Sequence, residues 1–238
     1  MVKIACWYDT PRNEAVLPEY FHKLGIRYVI CDARHVSAHE GQRKVSVPVL
    51  RKFKRRLARE GIELAGVTAG WVRAETLGEA GDSAARRLIL RNIEALGKAD
   101  VPLAQMFVMV QAAETAAARR RQWDELIEYC REVAAVAKKA GVKVAVHGSQ
   151  ARRHLIANLA GYRKLLAAVP SRHFGVTLCV GCLKICGSDP ARSLRALGEK
   201  VFYMHARDVI MHRDGSWTDV NLGEGQIDYP AIRRAIEK

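Results

Sequence analysis

The sequence predicts an α/β domain in which parallel strands form a barrel wrapped by helices, one domain over residues 1–238. Three observations lead there. Short apolar runs alternate seven times with longer amphipathic or alanine-rich stretches, the order of a parallel sheet with crossover helices. The runs are apolar at successive positions, as strands covered on both faces require. Seven repeats exceed a usual doubly wound sheet, and no Gly-x-Gly-x-x-Gly follows the first run, so a TIM-type barrel of eight units fits better.

In chain order, Val2–Tyr8 is the first expected strand and Leu17–Leu24 a helix stopped at Gly25. Ile26–Cys31 is β-branched and reads as the second strand, followed by a polar loop from His35 to Gln42. Val47–Glu60 is an amphipathic helix ended by Gly61, and Ile62–Thr68 the third strand. Residues 69–82 read as a glycine-bearing loop, then Ser83–Ala99 as a helix and Leu103–Val110 as strand four. Glu114–Ala140 is a long helix closed by Gly141, and Val142–Val146 strand five. Leu155–Ala168 is a helix stopped by Pro170, Phe174–Leu178 strand six, Pro190–Leu197 a helix and Val201–Met204 strand seven. After a loop, Arg207–Ile227, the helix Tyr229–Glu237 carries Pro230 in its first turn. An eighth strand and helix are not readable, so the barrel is expected to be short at its C-terminal side.

Composition bounds the function. The chain is 49% hydrophobic and has no window of about 18 uninterrupted apolar residues, so no membrane span is expected. The N-terminal run lacks the layout of a signal peptide, and the cytoplasm is the expected location. Six cysteines without a secretory signal suggest reduced thiols or metal ligands rather than a disulfide framework. The formal charge of +14 concentrates in helical stretches such as Arg51 to Arg59 and Arg119 to Arg121. These read either as solvated helix faces or as attraction to an anion: a sugar acid, a sugar phosphate or nucleic acid. With no motif for base readout and 7% aromatics, nucleic acid is not an expected partner.

The chemistry gathers at three strand ends. GVKVAVHG closes on His147, GVTLC on Cys179 and VFYMH on His205. The C-terminal end of a barrel strand is where active sites are built. Imidazole and thiolate suit a borderline divalent metal, and a catalytic metal keeps one position open. Taken singly, each has a bland reading: a structural histidine, or a cysteine acting as a small core hydrophobe. Cys182 forms a C-x-x-C pair with Cys179, but no second pair completes a four-thiolate site, so Cys182 is expected to line the mouth. Arg207 could grip a carboxylate or phosphate with its guanidinium, or simply pair with Asp208. Asp219 and Glu224 lie in the glycine-bearing loop DVNLGEG, Trp7 ends strand one as an apolar wall, and His35 follows strand two where a general acid or base could sit.

The stretch from Lys143 to Glu237 resembles mannonate dehydratase, within the xylose-isomerase-like barrel superfamily. The carriers are VAVH at His147, YRKLLAAVPSRHFGVTLCVGCL around Cys179 and FYMHARDV around His205, with weaker agreement at the Trp7 strand and RRLAREGIELAGV. The resemblance implies a divalent metal, Mn²⁺ first and Fe²⁺, Zn²⁺ or Mg²⁺ as substitutes, held by His147, Cys179 and His205. It implies dehydration of an aldonic acid to a 2-keto-3-deoxy acid, with Arg207 near the substrate carboxylate. The candidates for catalysis are then Arg207, Asp208 and His35, and those for substrate contact Trp7, Cys182, Arg207, Asp219 and Glu224. The family's fourth ligand and principal acid/base histidine come from the eighth strand, and Gly148-Ser149-Gln150-Ala151 stands where relatives carry a proline- and aspartate-rich run. A sugar isomerase or epimerase of the same superfamily is the alternative; an apurinic endonuclease relative and a non-catalytic barrel stand behind it. The partner is expected to be a small sugar acid or sugar, with self-association into a homo-oligomer.

Overall fold

A computed structural model describes residues 3–8, 17–77 and 83–237. Its central feature is a seven-stranded parallel sheet in sequential order: β1 (Ala5–Tyr8), β2 (Tyr28–Asp32), β3 (Glu63–Arg73), β4 (Leu103–Met109), β5 (Lys143–His147), β6 (Phe174–Cys179) and β7 (Val201–His205). Helices α1 (Leu17–Lys23), α2 (Val47–Arg59), α3 (Ser83–Lys98), α4 (Ala116–Ala140), α5 (Leu159–Ala168), α6 (Val180–Ile185), α7 (Pro190–Leu197) and α8 (Tyr229–Ile236) occupy the crossovers and the C-terminal side. The sheet curls: Gln105 of β4 reaches His205 of β7 across the interior, and Trp7 of β1 meets the His205 ring edge-on at 6.3 Å. Among the described residues no ladder joins β1 to β7, so the barrel is open along that seam.

The strands sort their side chains by alternation. Val29, Cys31, Val67, Met106, Val144, Val146, Val176 and Leu178 face outward into the main apolar core beneath the helices, all fully buried. The inward face holds a buried polar layer, Thr68, Gln105 and Thr177. α4 is capped by Thr115, whose side chain accepts from Ala118 N at 3.2 Å, and ends on Gly141 at φ +70, a left-handed conformation that glycine reaches without a Cβ clash. Part of the basic charge is structural. Lys54 Nζ and Arg51 donate to the carbonyls of Lys98, Ala99 and Asp100, which the end of α3 leaves without helical partners.

The elements differ from expectation in four places. β3 runs on through Trp71 to Arg73, where a loop was expected after Thr68. α5 starts at Leu159, because Asn158 accepts from Gly161 N and breaks the helical pattern that begins at Leu155. α6 opens directly on Cys179, where no element was expected between strand six and the helix at Pro190. The expected loop after Arg207 holds an antiparallel hairpin, β8 (Asp208–Met211) with β9 (Trp217–Val220). The start of the expected first strand, Val2, lies outside the described residues, as do positions 78–82 of the loop after β3.

Candidate metal centre

Parallel neighbours in register share a face, and the pairings Phe107 with His147, His147 with Thr177, and Cys179 with His205 set these side chains around one rim. His147 and Cys179 are buried, at 5% and 2% exposure, and His205 is half-buried. His147 Nε2 stands 3.0 Å from His205 Nδ1. The candidate donors of His147, Cys179 and Cys182 all lie within 4.8 Å of one another.

The polar layer beneath the rim orients the His205 ring. Thr68 Oγ1 donates to Gln105 Oε1 at 3.1 Å, which turns the amide nitrogen toward Thr177 Oγ1 at 3.3 Å and His205 Nε2 at 3.0 Å. Gln105 thus ties His205 Nε2 from below and leaves Nδ1 on the side of the centre. There His205 Nδ1 faces His147 Nε2, while His147 Nδ1–H donates to the Gly148 carbonyl. A ring nitrogen tied to a backbone carbonyl, with the opposite nitrogen turned to the centre, is the usual state of a metal-binding imidazole.

Cys179 caps α6 and Cys182 is its third residue, so one helical turn brings both sulfurs to the same side. The hydrogen bond from Cys182 holds the Cys179 thiol well below its ordinary range; His147 and His205 add to this, against the opposing effect of burial. Cys182 moves the other way, pushed up by that same hydrogen bond and by burial. The hydrogen bond between them thus favours a thiolate at Cys179 over one at Cys182. Burial lowers the His205 imidazole, favouring its neutral form.

Arg207 crosses this rim. Its NH1 donates to Cys182 Sγ at 3.4 Å and to Gln150 Oε1 at 2.6 Å. Its Nε and NH2 grip Asp219 at 2.6 and 2.9 Å, and that bond raises the guanidinium further and lowers the Asp219 carboxyl. A Cβ at Gly181 would meet the Arg207 side chain at 2.9 Å, so glycine lets the arginine lie flat on α6.

Of the residues expected in the site, the structure brings together His147, Cys179, His205, Cys182, Arg207, Asp219 and Trp7. Asp208 is elsewhere in role. It is buried, and its carboxylate accepts from the backbone N–H groups of Val209, Gly223, Gly225 and Ile227, so it anchors the loop after the hairpin rather than facing substrate. The expected pair of Arg207 with Asp208 is replaced by Arg207 with Asp219. His35 sits edge-on to Tyr8 at 5.5 Å, and Tyr8 packs on Phe53 of α2. Trp7 and Tyr8 are successive strand residues on opposite faces, so with Trp7 at the rim His35 lies on the helix side of the sheet. Glu224 is exposed and accepts from Asn221 at 3.1 Å.

Several rim residues escaped the sequence. Trp71 and Phe107 stack at 5.3 Å with planes 9° apart, Phe107 continues onto His147 at 4.5 Å, and the Arg43 guanidinium lies 4.5 Å over Trp71. Arg43 is braced by Asp32 at 3.3 Å. Trp71 reaches the rim because the β3 register slips between Thr68 and Gly70, a bulge that changes which residues face inward. Gly70 has φ +153, and a Cβ there would meet Ile89 at 2.8 Å. The signals were a lone glutamine in the apolar run LAQMFVM, and an apolar run that continues past Thr68.

A family model described as xylose isomerase-like TIM barrel matches residues 18–238. A mannonate dehydratase of Saccharophagus degradans is 28% identical over 120 residues, covering 48% of this chain and 30% of the relative. The chain thus spans about a third of the length of the curated relatives it matches. The crystal structure of mannonate dehydratase from Streptococcus suis serotype 2 superposes with a TM-score of 0.80 at 16% identity, covering 98% of this chain and 80% of that one. The structure of the IolI protein with a bound zinc atom gives 0.75 at 16% identity, covering 99% and 84%. At these identities the superpositions speak for the fold alone. With the family match running from α1 to the last residue, over strands laid out in the same parallel order, the chain belongs to the xylose isomerase-like TIM-barrel family.

Proposed function

We propose that this chain is a divalent-metal-dependent hydro-lyase acting on a sugar acid, with a mannonate-like aldonic acid as the first candidate. The observation that carries the reading is that His147 stands 3.0 Å from His205 and within 4.8 Å of Cys179 at the strand C-termini, with the Arg207 guanidinium beside them on Cys182. A cation pocket next to an anion grip suits a substrate whose carboxylate and hydroxyls lie side by side. The curated relatives matched here carry the name mannonate dehydratase, which favours the same class.

His147 and His205 offer imidazole nitrogens and Cys179 a thiolate, a donor set that fits a borderline divalent ion. Such an ion, when bound, supplies Lewis-acid polarisation of the substrate carboxylate and a neighbouring hydroxyl. The Gly148 carbonyl keeps His147 Nε2 aimed at the centre, and Gln105 braces His205 from below. Arg207 orients the carboxylate in exchange for Asp219. Trp7, Phe107 and Trp71 form the apolar side of the mouth and exclude water from one face of the sugar chain. Manganese is the ion the family resemblance implies.

The test is metal content together with turnover. Purified chain is expected to hold one divalent ion and to release a 2-keto-3-deoxy acid from an aldonate, and C179S is expected to lower bound metal by about tenfold or more. Metal stoichiometry unchanged by C179S would overturn the site. Conversion of a ketose to its epimer without loss of water would move the chain to the isomerases of the same fold.

A further inference from the structure

Three donors suffice for the reading above, and Cys182 is not among them. Its sulfur nevertheless belongs to the same cluster. The donor atoms of His147, Cys179 and Cys182 lie within 4.8 Å of one another, and all three side chains are buried. His205 closes the remaining side through its 3.0 Å contact with His147. One imidazole and two thiols therefore gather within 4.8 Å, and the second imidazole adjoins them through His147. The arrangement follows from local sequence. Cys179 and Cys182 are one turn apart on α6, and Gly181 between them carries no side chain to hold Arg207 off the helix.

We propose that Cys182 is a fourth metal donor, making the rim an N₂S₂ centre that takes zinc in preference to manganese. The inference rests on the metal-site reading above but not on the reaction. Thiolates are soft donors, and a tetrahedral pair of sulfurs and pair of nitrogens is the set zinc accepts, whereas manganese prefers oxygen in octahedral array. Among the described residues, the group of donors that closes on one point contains no carboxylate. Around zinc, with bonds of about 2.0 to 2.3 Å, neighbouring donors stand roughly 3.3 to 3.8 Å apart. The cluster needs to contract by about 1 Å, within reach of side-chain rotation. Arg207 NH1, 3.4 Å from Cys182 Sγ, then donates to a bound thiolate and offsets its charge. A substrate oxygen would then need a fifth position on the ion.

The experiment uses the 238-residue chain, stripped with a chelator and reloaded with cobalt(II) as a spectroscopic substitute for zinc. The thiolate-to-cobalt absorption is expected to match two sulfurs per ion and to fall by about half in C182S, as one of two thiolates is lost. Zinc is expected to outcompete manganese in the wild type by about 100-fold or more, and the margin to narrow at least about tenfold in C182S. Absorption unchanged by C182S, or manganese holding its own against zinc in the wild type, overturns the proposal. Circular dichroism checks that C182S is folded; if it is not, the wild-type band intensity and ion competition decide alone. A two-sulfur band in a chain that does not dehydrate aldonates sinks the assigned reaction and keeps this inference. A one-sulfur band in a chain that does dehydrate them sinks this inference and keeps the reaction.

Discussion

β6 and β7 are neighbours, both apolar runs, and both end in a candidate metal donor. Every residue of β6 is buried and every residue of β7 is half-buried. The difference lies in the ladders. β6 has β5 on one side and β7 on the other, whereas β7 pairs only with β6 among the described residues. Its free edge faces β1 across the seam, near enough for Trp7 to touch His205 but without a backbone ladder. The candidate centre therefore spans two kinds of wall. His147 and Cys179 stand on strands fixed from both sides, while His205 stands on an edge and takes its orientation from Gln105 across the interior.

The largest expected effect tests that contrast directly. Phe174 in β6 is fully buried, and Phe174→Ala is expected to cost about 3–5 kcal/mol of stability through lost burial and the cavity left behind. Phe202 in β7 is half-buried over Gly175, and Phe202→Ala is expected to cost about 1 kcal/mol, in proportion to the smaller apolar area it hides. Urea unfolding of both variants measures the gap. Equal costs would mean that β7 is covered in solution and that the contrast is not real.

A smaller effect concerns how the chain beyond β7 is held. The Asp208 carboxyl is below its ordinary range although burial pushes it up, because the N–H groups of Gly223, Ile227, Gly225 and Val209 together win. A lowered folded value means that the unfolded chain binds the proton more readily. The carboxylate's contribution is then complete above the unfolded value near about pH 4 and is lost as pH falls through the lower folded value. Asp208→Asn is expected to cost about 2 kcal/mol at neutral pH, with the gap to wild type closing below about pH 4. Unfolding curves from pH 7 down to about 2 measure this. A gap constant across that range would show that the charge of Asp208 does not hold the loop.

Much of this was legible because it depends on local pattern. Strand ends are marked by the residue at which an apolar run stops, so His147, Cys179 and His205 were readable as a set without knowing any distance. Roles that depend on a partner far along the chain were not. Asp208 looks like a reactive carboxylate in HARDV, and only the return of residues 223–227 reveals its four amide partners. His35 follows a strand, as a catalytic residue would, but alternation from Trp7 to Tyr8 puts it on the other face. Trp71 was hidden by the Gly70 bulge, because one inserted residue changes the inward set and no count of period two predicts where that happens. The edge status of β7 was equally invisible, since apolar composition reports the faces of a strand and not its neighbours.

The smallest expected effect, and the one that speaks most directly to substrate, is at the Arg207–Asp219 pair. Asp219 is 60% exposed, so the pair adds little stability, about 1 kcal/mol or less, and Asp219→Ala is expected to leave the fold intact. Its functional consequence has a sign that discriminates. Asp219 occupies the two guanidinium donors that a substrate carboxylate would use. If Arg207 receives that carboxylate, removing the internal competitor strengthens aldonate binding, by about 2-fold for an exposed pair worth roughly half a kcal/mol. If Asp219 itself holds a substrate hydroxyl, the same change weakens binding. Asp219→Asn keeps the shape and removes the charge, so it follows Asp219→Ala in the first case and falls between wild type and Asp219→Ala in the second. Calorimetric titration with an aldonate reads the sign without needing turnover. Repeating it at high salt separates the two further: screening weakens an exposed ion pair, so the advantage of Asp219→Ala over wild type shrinks only if competition for the guanidinium is its cause.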